Sequence, residues 1–180
     1  ADSAEGMNAG DNCAACVINK GTGAKVASLH GKAGVFRFAD FLATLGKEYN
    51  SAMIAVERNH PGPAVIAKLQ EGHYPNLWRM RHEDGTVSDQ AGWHTNSYSR
   101  PLALAHLDEV LMQSNAAGFP DKDEIGELMQ FVMNNDNRAE AATGAHDDYV
   151  LARAIAERVR VQWQLPRAGQ QMRSMGLRQR

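Results

Sequence analysis

Ala52-Met53-Ile54-Ala55-Val56-Glu57 is a short apolar run closed by a carboxylate, and it lies between two segments that read as helices. Five apolar residues are too few for a buried helix, so the run predicts a buried strand whose acidic end leaves the core. Before it, Phe38, Phe41, Leu42, Leu45 and Tyr49 recur at helical spacing and predict an amphipathic helix over roughly 36–49. After it, Pro63 to Gln70 opens on a proline and ends before Gly72, the punctuation of a helix. Working outward, Cys13 to Asn19 (CAACVIN), the turn Lys20-Gly21-Thr22-Gly23 and a second run over 25–30 predict a hairpin. Asn76 to Met80 reads as a short strand, and Asp84-Gly85 as a tight turn after it. Three further helices are expected. Pro101 to Asn115 carries Leu104, Leu107 and Leu111 on one face. Asp123 to Val132 turns Ile125, Leu128, Met129 and Val132 inward, and Asp147 to Trp163 aligns Leu151, Ile155 and Val159. A hairpin followed by alternating helices and strands is the order of an α/β domain built on one mixed sheet.

The bulk numbers agree. A chain of 180 residues with 43% hydrophobic and 22% charged residues has the size and composition of one globular domain. Its apolar runs are far shorter than a membrane span, and no signal-peptide pattern opens it, so no membrane partner is expected. The chain begins at Ala1 without a methionine and reads as a processed or excised piece. A net charge of −2 argues against a uniformly basic nucleic-acid binder, but the charge is uneven. Seven arginines (153, 158, 160, 167, 173, 178 and 180) face one acid, Glu157, over the last 28 positions. Two readings of that end compete, a solvated flexible tail and a set of phosphate contacts. The domain is placed at 1–165 and the basic tail at 166–180. Cys13 and Cys16 are too few for a disulfide scaffold, and a structural zinc would need a second pair. In a strand, side chains three apart point to opposite faces, so these two read as small buried hydrophobes.

The acidic residues carry the chemistry. Asp2, Glu57 and the pair Asp147-Asp148 each fall at the end of a predicted element, where a side chain can leave the core. Read singly, each has an ordinary explanation: a helix cap for Asp147 or Asp148, a solvated strand end for Glu57, a terminal residue for Asp2. Read together they can meet at one sheet edge, and clustered carboxylates repel one another unless a hard cation neutralises them. Two Mg²⁺ or Mn²⁺ ions held this way support phosphodiester hydrolysis. Gly21-Thr22-Gly23-Ala24-Lys25 has neither the spacing nor the Ser/Thr of a phosphate loop.

These residues resemble the motifs of the phage terminase large subunit nuclease family. Asp2-Ser3-Ala4-Glu5-Gly6 with Gly10-Asp11 is similar to that family's first acidic motif. Ala55-Val56-Glu57-Arg58-Asn59 with Gly62 is similar to the second. Gly92-Trp93-x-Thr95 with Arg100-Pro101 is similar to its linking stretch, and Gly144-Ala145-His146-Asp147-Asp148 with Ala152 and Ala156 to the third. The resemblance implies an RNase H-like fold, a mixed central β-sheet flanked by helices on both faces. It also implies an endonuclease that cuts concatemeric double-stranded DNA during viral packaging, working in the cytoplasm of an infected bacterial host. Carried over, Asp2, Glu57 and Asp148 are the catalytic, metal-binding carboxylates, with Asp147 the rival for the third place. Glu5, Asp11 and His146 support them, while Arg58, Arg153, Arg160, Arg167 and Arg173 contact DNA. The partners implied are double-stranded DNA, the portal protein, the terminase small subunit and a packaging ATPase domain outside this chain. In the family a strand precedes the first motif. Only Ala1 stands there in this chain, so CAACVIN is expected to be an exposed apolar edge. A catalytically silent portal- or DNA-docking module is the alternative, and another RNase H-like nuclease, such as a junction resolvase, is a third reading that the Gly92-Trp93-x-Thr95 stretch disfavours.

Overall fold

The computed structural model describes residues 1–4, 12–81, 86–114, 121–134 and 139–164. The expected Asp84-Gly85 turn, Glu5, Asp11, Arg167, Arg173 and the tail lie outside them. Strands β1 (Cys13–Ile18) and β2 (Lys25–Gly31) form the predicted antiparallel hairpin, with Cys13 opposite Gly31 and a register shift after Val17. Its turn closes on Asn19, whose side-chain oxygen accepts from the amides of Gly21 and Thr22. Helices α1 (Val35–Glu48) and α2 (Gly62–Glu71) follow, then the hairpin β3 (Arg79–Arg81) and β4 (Val87–Ala91). After them come α3 (Ser99–Ser114), α4 (Lys122–Met129), a small hairpin of β5 (Phe131–Met133) and β6 (Ala139–Ala141), and α5 (Asp148–Gln164).

The regular sheet is small and split into three two-stranded pieces. Single backbone bridges join two of them across the middle. Asp2 and Ala14 exchange both amide hydrogen bonds, so the first residues lie antiparallel along the free side of β1. The Ala1 amine donates to the Ala55 carbonyl and the Glu57 amide donates to the Ala1 carbonyl, the pattern of a parallel neighbour. Ile54 then pairs in parallel with Leu77, and Glu57 with Trp93. The order across the middle is therefore β2, β1, Ala1–Asp2, the 54–57 segment and the stretch around β3, with both strand directions present.

The apolar alternation of 54–56 decides where the helices go. Ile54 and Val56 face one side, where they meet Phe38 and Leu42 of α1 and Val65, Ile66 and Leu69 of α2. Ala55 faces the other side and joins Trp78, Trp93, Leu107 of α3 and Val150 and Ile155 of α5. A strand with a core on both faces reads as a continuous apolar run, and helices cover both faces. Each of these fully buried aliphatic or aromatic side chains contributes about 1.5–3 kcal/mol relative to exposure.

Two expectations change. Over 123–132 the helix stops at Met129, and residues 131–133 enter β5. Its inward residues include Glu124 and Glu127, while Ile125, Met129 and Val132 are exposed. Partners elsewhere reverse the apolar face: Lys25 of β2 pairs with Glu124, and the amides of Tyr149 and Val150 donate to Glu127 at 2.7 and 3.2 Å. CAACVIN is an open edge only in part, since Ala14 bonds Asp2 through both its backbone groups. Cys13, Ala14 and Ala15 are buried, and Cys16–Ile18 line a cavity of about 680 Å³ with Leu42 and Leu45 of α1 and Ile155 and Val159 of α5. Residues 52–55 line the same cavity. Cys13 is buried and Cys16 half-buried, both are free thiols, and burial pushes the Cys16 thiol up to about 11.

Candidate metal centre

Asp2 and Glu57 end up side by side because their backbones are neighbours in the bridged sheet. Both are buried, at 9% and 8% exposure, and their carboxyl groups share a hydrogen bond. Burial, then that bond and the Glu57 charge, push the Asp2 carboxyl up to about 9, and Asp148 adds to the rise. Two carboxyls holding one proton between them, away from water, form a donor set that a divalent cation fits, since the cation can replace the proton. Ser3 Oγ, buried and without a partner among the described residues, lies by Gly62. The Ala1 ammonium is directed at the Ala55 carbonyl, 2.7 Å away, and burial lowers its pKa.

Glycines and an asparagine hold Glu57 in place. A Cβ on Gly62 would lie 1.7 Å from the Glu57 carbonyl oxygen, so only glycine lets α2 begin this close to the strand end. Gly92 has φ +97°, and a Cβ there would meet Val56 O, the Arg58 side chain and Ile66 within 2.7 Å. That closeness allows Trp93 to bond alongside the strand, its amide to the Val56 carbonyl and its carbonyl to the Arg58 amide. Asn59 Nδ2 donates to Glu57 Oε1 at 3.3 Å and to the Thr95 carbonyl at 3.2 Å, tying the carboxylate to the Gly92–Thr95 stretch.

The two aspartates at the start of α5 separate cleanly. Asp147 forms an ion pair with Arg100 at 2.9 Å and is partly exposed. Asp148 is buried, faces Asp2 closely enough to act on its charge, and accepts from the Asn12 amide at 3.2 Å. The α5 N-terminus favours a negative charge there. His146 Nδ1 stands 4.0 Å from Asp148.

Asp2, Glu57 and Asp148 thus converge on one region, although among the described residues they do not close into a tight trio of ligand atoms. The set that does close is His30, Glu127 and Asp148, whose ligand atoms lie within 4.8 Å of one another. His30 and Glu127 carry no signal in the sequence, because β2, α4 and α5 meet only in the fold. Asn59 stands inside a quoted motif, and Asn12 acts through its backbone.

The basic residues divide. Arg58 is half-buried and donates to Gln90 at 2.7 Å. Arg153 is 1% exposed and paired with the fully buried Glu157, which removes it from the phosphate contacts expected of it. The pairing is local, one turn along α5, and Arg153 also donates to the Gly23 carbonyl of the hairpin turn. Arg160 shares Glu157 but keeps part of its side chain in solvent. Among the described residues, no helix is long and apolar enough to cross a membrane.

No protein-family model matches the sequence, and no curated protein matches it. The fold, however, is similar to that of the large terminase nuclease from thermophilic phage G20c, a structure determined with bound cobalt. The TM-score is 0.61 at 19% identity, over 82% of this chain and 80% of that one. At that identity the likeness is one of fold.

Proposed function

We propose that this domain is the metal-dependent endonuclease of a viral DNA-packaging terminase, cutting concatemeric double-stranded DNA by two-metal phosphodiester hydrolysis. The observation that carries the reading is the buried Asp2–Glu57 carboxyl pair with Asp148 beside it. Three distant segments bring these acids together at a considerable electrostatic cost, and cation binding is the chemistry that offsets it. The terminase-nuclease fold supports the same conclusion, and the strand order around Ala1–Asp2 supports an RNase H-like sheet.

Divalent ions bound there supply Lewis-acid activation of water and of the scissile phosphate. The chain's own residues do the rest. Asp2, Glu57 and Asp148 hold the cations. Asn59 and the Asn12 amide bond Glu57 and Asp148 and so restrain the two carboxylates. Arg58, next to Glu57, is placed to meet a phosphate at the edge of the site, and Arg160, Arg167 and Arg173 are further phosphate contacts in this reading. The portal protein, the small subunit and the packaging ATPase are the partners that deliver DNA to it. Plasmid nicking in Mn²⁺, with EDTA as the control, tests the reading. Nicking that EDTA abolishes is the expected result, and a protein that binds DNA without nicking it under any divalent ion is a docking module instead.

A further inference from the structure

The His30–Glu127–Asp148 group lies on the side of Asp148 formed by β2 and α4, and two of its three members are absent from the carboxylate set above. The places of Glu127 and His30 are fixed by their neighbours. Glu127 Oε2 accepts the Tyr149 and Val150 amides at the first turn of α5, which leaves Oε1 turned toward His30 Nε2 at 3.9 Å. The His30 ring is held against Tyr149, with centroids 4.4 Å apart, so the imidazole is placed by packing. Tyr149 is itself anchored through its hydroxyl to Asp121 at 3.0 Å. Glu127 and Asp148 are buried, and the His30 side chain is 22% exposed, leaving one path to solvent.

We propose that His30 Nε2, Glu127 Oε1 and a carboxylate oxygen of Asp148 form a divalent-cation site separate from the two-ion centre, which shares Asp148 with the Asp2–Glu57 pair and selects transition metals over Mg²⁺. Ligands at about 2.1 Å from one ion stand roughly 3–4 Å from each other, so three atoms already within 4.8 Å need to close by at most about 1–2 Å. Two carboxylates compensate a divalent charge, and Asp148 has two oxygens to divide between neighbouring ions. The imidazole sets the preference: nitrogen donors suit Co²⁺ and Zn²⁺, whereas Mg²⁺ takes oxygen and keeps its water. The sharing of Asp148 rests on the nuclease reading, but the cation site itself does not.

The test is a binding measurement on the whole chain. Co²⁺ and Mg²⁺ are titrated by calorimetry into the wild type and into His30→Phe, which keeps the ring against Tyr149 and removes the ligand nitrogen. Glu127→Gln, which keeps an acceptor for the α5 amides, is the second variant. We expect both variants to lose one Co²⁺ equivalent, or at least tenfold in its affinity, with little change in Mg²⁺ binding. We also expect Co²⁺ to shift or broaden the His30 imidazole resonances in the wild type. Co²⁺ binding unchanged in both variants, or His30 resonances indifferent to Co²⁺, overturns the proposal. These readouts do not depend on cleavage, so a chain that nicks plasmid but ignores His30 refutes this site alone.

Discussion

Replacing Asp2 by asparagine should make the cation-free protein more stable, and the gain should depend on pH. The Asp2 carboxyl rises from an ordinary 3.8 to about 9, chiefly through burial and then through its bond to Glu57. The folded protein therefore keeps a proton that the unfolded chain releases. Native stability is fully present below pH 3.8 and declines as pH climbs toward 9. At pH 7 the two states differ over about three pH units, which at about 1.36 kcal/mol per unit comes to about 4 kcal/mol. Asparagine keeps the shape, can still donate to Glu57, and does not titrate. For a chain of this size about 4 kcal/mol corresponds to roughly 10 °C in Tm. Thermal unfolding followed by circular dichroism in EDTA, from pH 4 to pH 8, reads the effect. The expected curves nearly coincide at pH 4 and separate progressively, Asp2→Asn melting higher. Saturating Mn²⁺ should reverse the order at pH 7, because an ionised Asp2 binds the cation and mass action stabilises the wild type. A gap that does not vary with pH, or none at pH 7 to 8, refutes the shared-proton account.

Three further outcomes follow from the same structure. Gly62→Ala forces a Cβ to within 1.7 Å of the Glu57 carbonyl, so α2 or Glu57 must move; the variant should lose about 3 kcal/mol or more by denaturant titration. Arg153→Ala strips one partner from the fully buried Glu157 and should cost about 3–5 kcal/mol in stability, with no change in the salt dependence of DNA binding. Deleting 167–180 removes four arginines, and if they neutralise phosphates, the slope of log K against log salt should flatten by about 3 to 4; an unchanged slope leaves them as a solvated tail.

The helices packed on the 54–56 strand were legible from local signals. Phe38 and Leu42 of α1 are buried where periodicity places them, and α2 was legible from the proline that opens it and the glycine after it. The strand closed by Glu57 was legible in the same way, although only isolated bridges mark it as a strand. Periodicity failed at α4. Glu124 and Glu127 are buried through Lys25, 99 residues away, and through the first amides of α5, and no local pattern encodes such partners. Arg153 failed for a related reason: its partner Glu157 is visible one helical turn on, but burial of the pair depends on the hairpin turn at Gly23. The resemblance named Asp148 with Asp147 as its rival; in the structure Asp147 is paired with Arg100, while Asp148 is buried. The acids were found as candidates because each ends an element. Their meeting point depends on backbone bonds between Ala1–Asp2 and both neighbours, which only the fold supplies.

The central claim is that Asp2, Glu57 and Asp148 hold the cations that cut DNA. Its most direct test is Mn²⁺-dependent plasmid nicking by Glu57→Ala and Asp148→Ala proteins shown to be folded by circular dichroism. The account predicts that each loses at least about 100-fold in rate, more than the loss of a supporting partner such as Asn59 would cause. Nicking at the wild-type rate in both variants would contradict it.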